Sequence, residues 1–228
     1  AVHVIGTEAA INALLTTHNF IDYIDFADSY LNARVGVFQD KFQLESSLTD
    51  FTYGNTQNQV EMINVDALHA ADYTGEGVIV AVIDAGFPNV NTMAGFERLR
   101  AAGNLMGGYD FVNRTADVYN STVSDHGTKV LSTMAGYVEN QYVGTAPDAT
   151  YYVFLTEDGT GESPVEESYW VEAVERADSL GVQIINTSLG YKGFDNSKYN
   201  YTDEDLNGTT TYISKGANIA FEKGLILI

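Results

Sequence analysis

Two residues stand where chemistry could be done. Asp84 directly follows the apolar run Gly77-Val-Ile-Val-Ala-Val-Ile83, and His126 lies in Ser124-Asp125-His126-Gly127-Thr128. A carboxylate at the end of a buried strand, ahead of Ala85-Gly86, is partly desolvated and needs a cationic or hydrogen-bonding partner. Taken alone, such an Asp serves equally well as a turn former at the strand end. His126 precedes Val130, Leu131, Met134 and Ala135 at helical spacing, so it is expected near a helix N-terminus, where the positive end of the dipole disfavours the imidazolium. A neutral imidazole held by a carboxylate is what a general base requires. A histidine ahead of a helix is more often structural or exposed, so the two residues carry meaning only as a pair.

The elements that must position them are legible as alternating buried-strand and helical patterns. The run Gly77–Ile83 is continuous, β-branched and bounded by turn residues, as a parallel strand covered on both faces would be. Similar runs occur at Thr150–Leu155, Val182–Ile185 and Leu225–Ile228. Between the second and third, Ser163-Pro164-Val165-Glu166 reads as a capping box with proline at the first helical position. Val165, Tyr169, Ala173, Val174, Ala177 and Leu180 continue it as one apolar stripe, and Gly181 is a natural stop. A further helix is expected over Tyr212–Lys223, ending at Gly224. This order implies right-handed crossovers and an α/β fold with a mainly parallel sheet. Ligands in such sheets sit beyond the carboxyl ends of the strands, which is where Asp84 and Asn186 follow two of the runs.

The first fifty residues differ. Val2–Ile5 reads as a strand, Glu8–Thr17 as a helix with Ile11, Leu14 and Leu15 on one face, and Phe20–Phe26 as a half-buried strand. Together they form a small βαβ unit, and the polar stretch Thr49–Gln59 is the best linker candidate.

Composition narrows the function further. The chain has 228 residues, 45% hydrophobic and 12% aromatic, enough apolar surface for a core and too much for a disordered chain. Its 31 Asp+Glu against 11 Lys+Arg leave a formal charge of −20, without a basic stripe, so nucleic acid is a poor partner. No apolar run approaches the roughly 20 residues of a membrane helix, so no membrane partner is expected. With no cysteine there is no disulfide, zinc–thiolate site or cysteine nucleophile. The sequence starts at Ala1 without Met or a signal peptide, and the natural N-terminus is expected upstream.

Three blocks give the pair its specificity. Val80-Ala-Val-Ile-Asp84-Ala-Gly86, then His126-Gly-Thr128, then Ile185-Asn-Thr-Ser-Leu-Gly190 resemble the subtilisin-like serine proteases (subtilases, peptidase family S8) in wording, order and spacing over about a hundred residues. The resemblance implies a three-layer α/β fold and a catalytic Asp, His, Ser order, with Asp84 orienting His126 and His126 taking the proton of a nucleophilic serine. It places that serine, and an oxyanion-hole asparagine, beyond Ile228, so the chain is expected to be the first two thirds of a catalytic domain, incomplete at its C-terminus. Its partners would be a peptide or protein substrate and the missing C-terminal part of the domain, carried on the same or a separate chain. Ser188, Leu189 and Gly190 align with the family's substrate-lining strand, and Gly159, Thr160 and Gly161, after Asp158, with the opposing wall; glycine there permits a substrate backbone to approach as an added strand.

The resemblance extends less firmly to the N-terminus. Ile21-Asp-Tyr-Ile-Asp25-x-x-Asp28 resembles the last strand of the family's inhibitory propeptide. Residues 1–48 are therefore expected to be a propeptide tail or an N-terminal extension, and 49–228 the peptidase domain. Lys129 departs from the second histidine of many relatives. The loop Gly136–Gly144 looks shorter than the family's calcium loop, with Glu139, Asn140 and Gln141 as its oxygen donors, and Asp203-Glu204-Asp205 is read as a solvated loop. The resemblance thus implies no cofactor for the chemistry, no specific metal residues, and room for structural calcium. The reading is a secreted bacterial serine endopeptidase made as a zymogen. Its rivals are an inactive relative that binds peptide in the same groove, and a doubly wound cofactor-binding protein. The latter lacks a Gly-x-Gly-x-x-Gly after the first buried strand.

Overall fold

The computed structural model describes residues 7–19, 21, 24, 51–120 and 124–228. The chain divides into two compact units, Ala1–Glu45 and Ser46–Ile228. In the first, helix α1 spans Glu8–Thr17, and the Thr7 hydroxyl caps it by accepting from Ala10 N–H at 3.3 Å. Ile11 and Leu14 are half-buried on this helix, whereas Leu15 is exposed. The strand expected over Val2–Ile5, most of that expected over Phe20–Phe26, and Asp28 lie outside the described residues.

The second unit runs α2 (Gln57–Met62), α3 (Val65–Ala70), β1 (Ile79–Asp84), α4 (Glu97–Ala101), β2 (Leu105–Asp110), α5 (His126–Ala135), β3 (Tyr137–Val138), β4 (Tyr142–Val143), β5 (Thr150–Leu155), α6 (Val165–Ser179), β6 (Ile184–Thr187), α7 (Tyr212–Glu222) and β7 (Ile226–Leu227). Five strands form one sheet in the order β2-β5-β1-β6-β7, every pairing parallel. The expected α/β architecture with a mainly parallel sheet is therefore observed.

Alternation along β1 divides the core. Val80 and Val82 face one side, with Phe87, Leu99, Tyr151, Val153 and, from α5, Leu131 and Ala135. Ala81 and Ile83 face the other, with Phe154, Ile185 and, from α6, Trp170, Ala173 and Val174. Helices on both faces explain why β1 is an unbroken apolar run. Leu131 is fully buried, so Leu131→Ala should cost about 2–5 kcal/mol through lost transfer energy and a residual cavity. Urea unfolding of the full-length protein would check this, and a loss below about 1 kcal/mol would contradict the packing.

The helices expected over 163–181 and 212–223 form with slightly tighter bounds, and Pro164 is the cap of α6 instead of its first residue. The box closes as read in one direction, with Ser163 N–H donating to Glu166 Oε2 at 3.0 Å. In the other direction Glu166 N–H donates to the Ser163 carbonyl at 3.1 Å, where a hydroxyl was expected. Asn186 lies within β6, not after it.

Three features depart from expectation. Strand β2 is Leu-Met-Gly-Gly-Tyr-Asp, whose glycines hide its strand character; a Cβ on Gly108 would lie 1.8 Å from the Val153 carbonyl oxygen, and the ladder slips between Leu105 and Gly108. The loop 136–144 contains the hairpin β3–β4, turned by Asn140 at φ 60°. From Phe51 onward the stretch read as a linker is packed structure. Phe51 is buried, Asn55 N–H donates to the Gln141 carbonyl, and the Thr56 hydroxyl both donates to the Val143 carbonyl and accepts from its N–H, each at 3.0 Å. Polar residues that satisfy another segment's backbone look, in sequence, like residues that satisfy none.

Candidate active site

Asp84 ends the central strand and its side chain is fully buried. Its Oδ1 accepts from Ala85 N–H at 2.7 Å. Helix α5 begins at His126, whose Nδ1 lies 2.8 Å from Asp84 Oδ1 and 3.0 Å from Oδ2. With its proton on Nδ1 the imidazole donates to the carboxylate and leaves Nε2 with a lone pair, while half of the His126 side chain stays open to solvent. Burial pushes the Asp84 carboxyl above its ordinary value, and the hydrogen bonds from His126 and Ala85 only partly counter it.

The words around the histidine explain how α5 reaches β1. A Cβ on Gly127 would lie 2.6 Å from the Gly86 carbonyl oxygen, 2.8 Å from Phe87 Cε1 and 2.9 Å from Asp84 Cβ, so only glycine permits this approach. Thr128 then pins the first turn, its N–H donating to the Gly86 carbonyl at 3.2 Å and its hydroxyl to the Pro88 carbonyl at 2.9 Å. Lys129 pairs with Asp125 at 2.8 Å on the exposed surface.

Because β5 and β6 are the strands bonded to either side of β1, the segments that follow them flank Asp84. After β6, Ser188 and Gly190 are exposed and Leu189 half-buried, and the space where a Gly190 Cβ would stand is open. After β5, the Asp158 carboxylate accepts from Thr160 N–H and hydroxyl at 3.0 and 2.8 Å, closing an Asx turn that leaves Gly159 and Thr160 exposed. At Gly161 a Cβ would meet the Asp195 carboxylate at 2.3 Å, so the close neighbour there is this chain's own side chain.

Three supporting residues, Glu166, Glu157 and Tyr191, carry no sequence motif that marks them as parts of the site. Glu166, almost fully buried in the first turn of α6, accepts from Asp158 N–H at 2.8 Å as well as from Ser163 N–H, so one carboxylate closes the loop 158–163. Glu157 Oε1 accepts from the Tyr191 hydroxyl, and burial, reinforced by Glu166 and Glu162, pushes the Glu157 carboxyl up to about 7. A Glu following a buried strand beside the one that ends in Asp84 was the available signal. Asn186 Oδ1 is buried without a hydrogen-bond partner among the described residues. Among those residues no three His, Cys, Asp or Glu side chains converge on a metal-sized site. Asp203 pairs with Lys192, and Asp205 accepts from Thr202.

A carboxylate-held imidazole at the carboxyl edge of a parallel sheet, with exposed residues in the segments on either side, can act as a general base. Residues 75–228 match the model of the Subtilase family, and the chain belongs to that family. It is 34% identical to Subtilisin E of Bacillus subtilis (strain 168) over 132 residues, 58% of this chain and 32% of that protein. It is 33% identical to the Minor extracellular protease Vpr of the same organism over 127 residues, 52% of this chain and 14% of Vpr. The chain thus spans about a third or less of the length of these relatives. A solved structure of MycP1 with its N-terminal propeptide removed is 25% identical and aligns with a TM-score of 0.48, over 74% of this chain and 46% of that one.

Proposed function

We propose that this chain supplies the acid and the base of a secreted serine endopeptidase whose nucleophilic serine lies outside residues 1–228. The 2.8 Å contact between His126 Nδ1 and Asp84 carries the reading. In the reaction His126 Nε2 removes the serine hydroxyl proton as the oxygen attacks the peptide carbonyl. It returns that proton to the leaving amine, and water repeats the cycle on the acyl-enzyme. Asp84 stays ionised, fixes the tautomer and stabilises the imidazolium. The chemistry asks only for protein side chains.

Substrate lies extended between Ser188–Gly190 and Gly159–Gly161 and pairs as an added strand. Exposure of Ser188, Gly190, Gly159 and Thr160, and the open space at Gly190, support that placement. A further segment pairs with β7, where Ile226 and Ile228 are exposed, 53% and 71%, on a sheet edge left unpaired among the described residues. Residues 1–48 serve as the tail of a propeptide, which makes the protein a zymogen. Secretion draws support from the relative named as extracellular, and no helix among the described residues is long and apolar enough to cross a membrane.

Full-length protein, matured by removal of its N-terminal segment, should hydrolyse casein, and diisopropyl fluorophosphate should abolish the activity by esterifying the nucleophile. Hydrolysis untouched by that reagent, or no hydrolysis by the matured protein, would overturn the proposal.

A further inference from the structure

The ends of β5 and β6 stand about two strand spacings, roughly 10 Å, apart across β1. Over that gap the Tyr191 hydroxyl donates to Glu157 Oε1 at 2.5 Å, and the Thr156 hydroxyl donates to the same oxygen at 3.0 Å. Thr156 N–H in turn donates to the Asp84 carbonyl at 3.3 Å, so this carboxyl is one residue from the backbone that holds Asp84. Tyr191 is buried, 7% exposed, and Glu157 is half-buried. Glu157 immediately precedes the Asp158–Gly161 segment, and Tyr191 immediately follows Gly190. A second contact, Asp195 N–H to the Glu162 carbonyl at 2.9 Å, joins the same two loops further out.

We propose that the Glu157–Tyr191 hydrogen bond is the tie that sets the spacing between the two walls of the peptide cleft, which makes both residues positioning residues for substrate. The proposal rests on the peptidase reading for the identity of what the cleft holds. The tie itself rests on the contacts between the walls.

The tie also senses pH. The titratable groups that face Glu157 are Glu162 of its own loop, Glu166 of α6 and Tyr191 of the loop after β6, and none is a cation. Its carboxyl therefore exchanges its proton near pH 7. The Tyr191 hydroxyl is pushed far above its ordinary value by burial and by Glu157, so it remains a donor throughout. Above that pH the acceptor is a carboxylate, and an O–H···O⁻ bond is shorter and about twice as strong as its neutral counterpart. The walls are held more firmly as pH rises through about 7. Gln at 157 keeps a neutral acceptor and fixes the weaker state; Phe at 191 removes the donor.

The test uses the full-length protein, matured by removal of its N-terminal segment, and its Glu157→Gln and Tyr191→Phe variants matured in the same way, between about pH 5.5 and 8.5. Carbon-13 NMR follows the Glu157 carboxyl, assigned by its loss in Glu157→Gln. Calorimetry reads binding of Ala-Ala-Pro-Phe amide, and the corresponding p-nitroanilide gives KM and kcat. In the wild type Kd and KM should fall about 3- to 10-fold as Glu157 ionises. Glu157→Gln should stay at its acid-side value and Tyr191→Phe should be weak throughout, while all three share one pH dependence of kcat. Glu157 titrating in the ordinary carboxylate range, equal Kd profiles in wild type and Glu157→Gln, or an effect confined to kcat would overturn the tie. A pH step in binding with no cleavage would keep the tie and remove the peptidase reading. Cleavage with KM indifferent to pH and to Tyr191→Phe would do the reverse. No binding at any pH would remove both.

Discussion

His126→Ala in the full-length protein, matured by removal of its N-terminal segment, is expected to lower peptidase turnover by roughly 10⁴- to 10⁶-fold while leaving KM within a few-fold of the wild type. In the proposed reaction the imidazole acts on a proton in flight, so its loss raises the transition state and spares the ground-state complex, which the proposed backbone pairing would hold elsewhere. Asp84→Asn should reach roughly the lower end of that range, about 10⁴-fold, because an amide facing Nδ1 favours the wrong tautomer. Steady-state kinetics on a peptide anilide decides the matter. Wild-type turnover in His126→Ala would remove the assignment, and a large KM change at constant kcat would recast His126 as a binding residue.

Gly127→Ala should be nearly as damaging, for a mechanical reason. Of the three atoms a methyl group would strike, the Gly86 oxygen is backbone already accepting from Thr128, and Asp84 Cβ belongs to the central strand. Neither can retreat, so the start of α5 must move, and His126 moves with it. A misplacement near 1 Å costs about 100-fold in rate, and the overpacking costs about 1–3 kcal/mol of stability. Gly95→Ala is the control, because nothing lies within 4 Å of a Cβ there. Turnover and urea unfolding should both fall in Gly127→Ala and in neither respect in the control. Two variants that behave alike would show that the glycine is not what permits the approach.

Much of the fold could be read from the chain because its signals are local. The run ending in Asp84 has to be a strand covered on both faces. The stripe from Val165 to Ala177 has to be a helix, and the glycines at 181 and 224 follow helix ends with positive φ. Strand β2 is hidden in the sequence because Gly107 and Gly108 carry no strand propensity; Gly108 is required by the carbonyl of Val153 across the ladder, and Gly107 by its φ of 87°. Phe51 to Gln59 looked like a linker because its polar groups serve the hairpin β3–β4, more than eighty residues away for Thr56 and Val143.

At the site the division is the same. Sequence alone singled out Asp84 and His126 as the candidate pair, because they sit in short words whose neighbours, Ala85-Gly86 and Gly127-Thr128, answer to local demands for a tight strand exit and a helix start. The tertiary structure decided that the two meet at 2.8 Å across 42 residues of chain, that the Asp84 side chain is wholly buried, and that Glu157 accepts from the Tyr191 hydroxyl across β1. Those are consequences of strand order, and strand order is set by which faces bury together. A residue's type and its nearest neighbours do not contain that information, since burial and long-range hydrogen bonds exist only once the sheet has brought β5 and β6 to the two sides of β1.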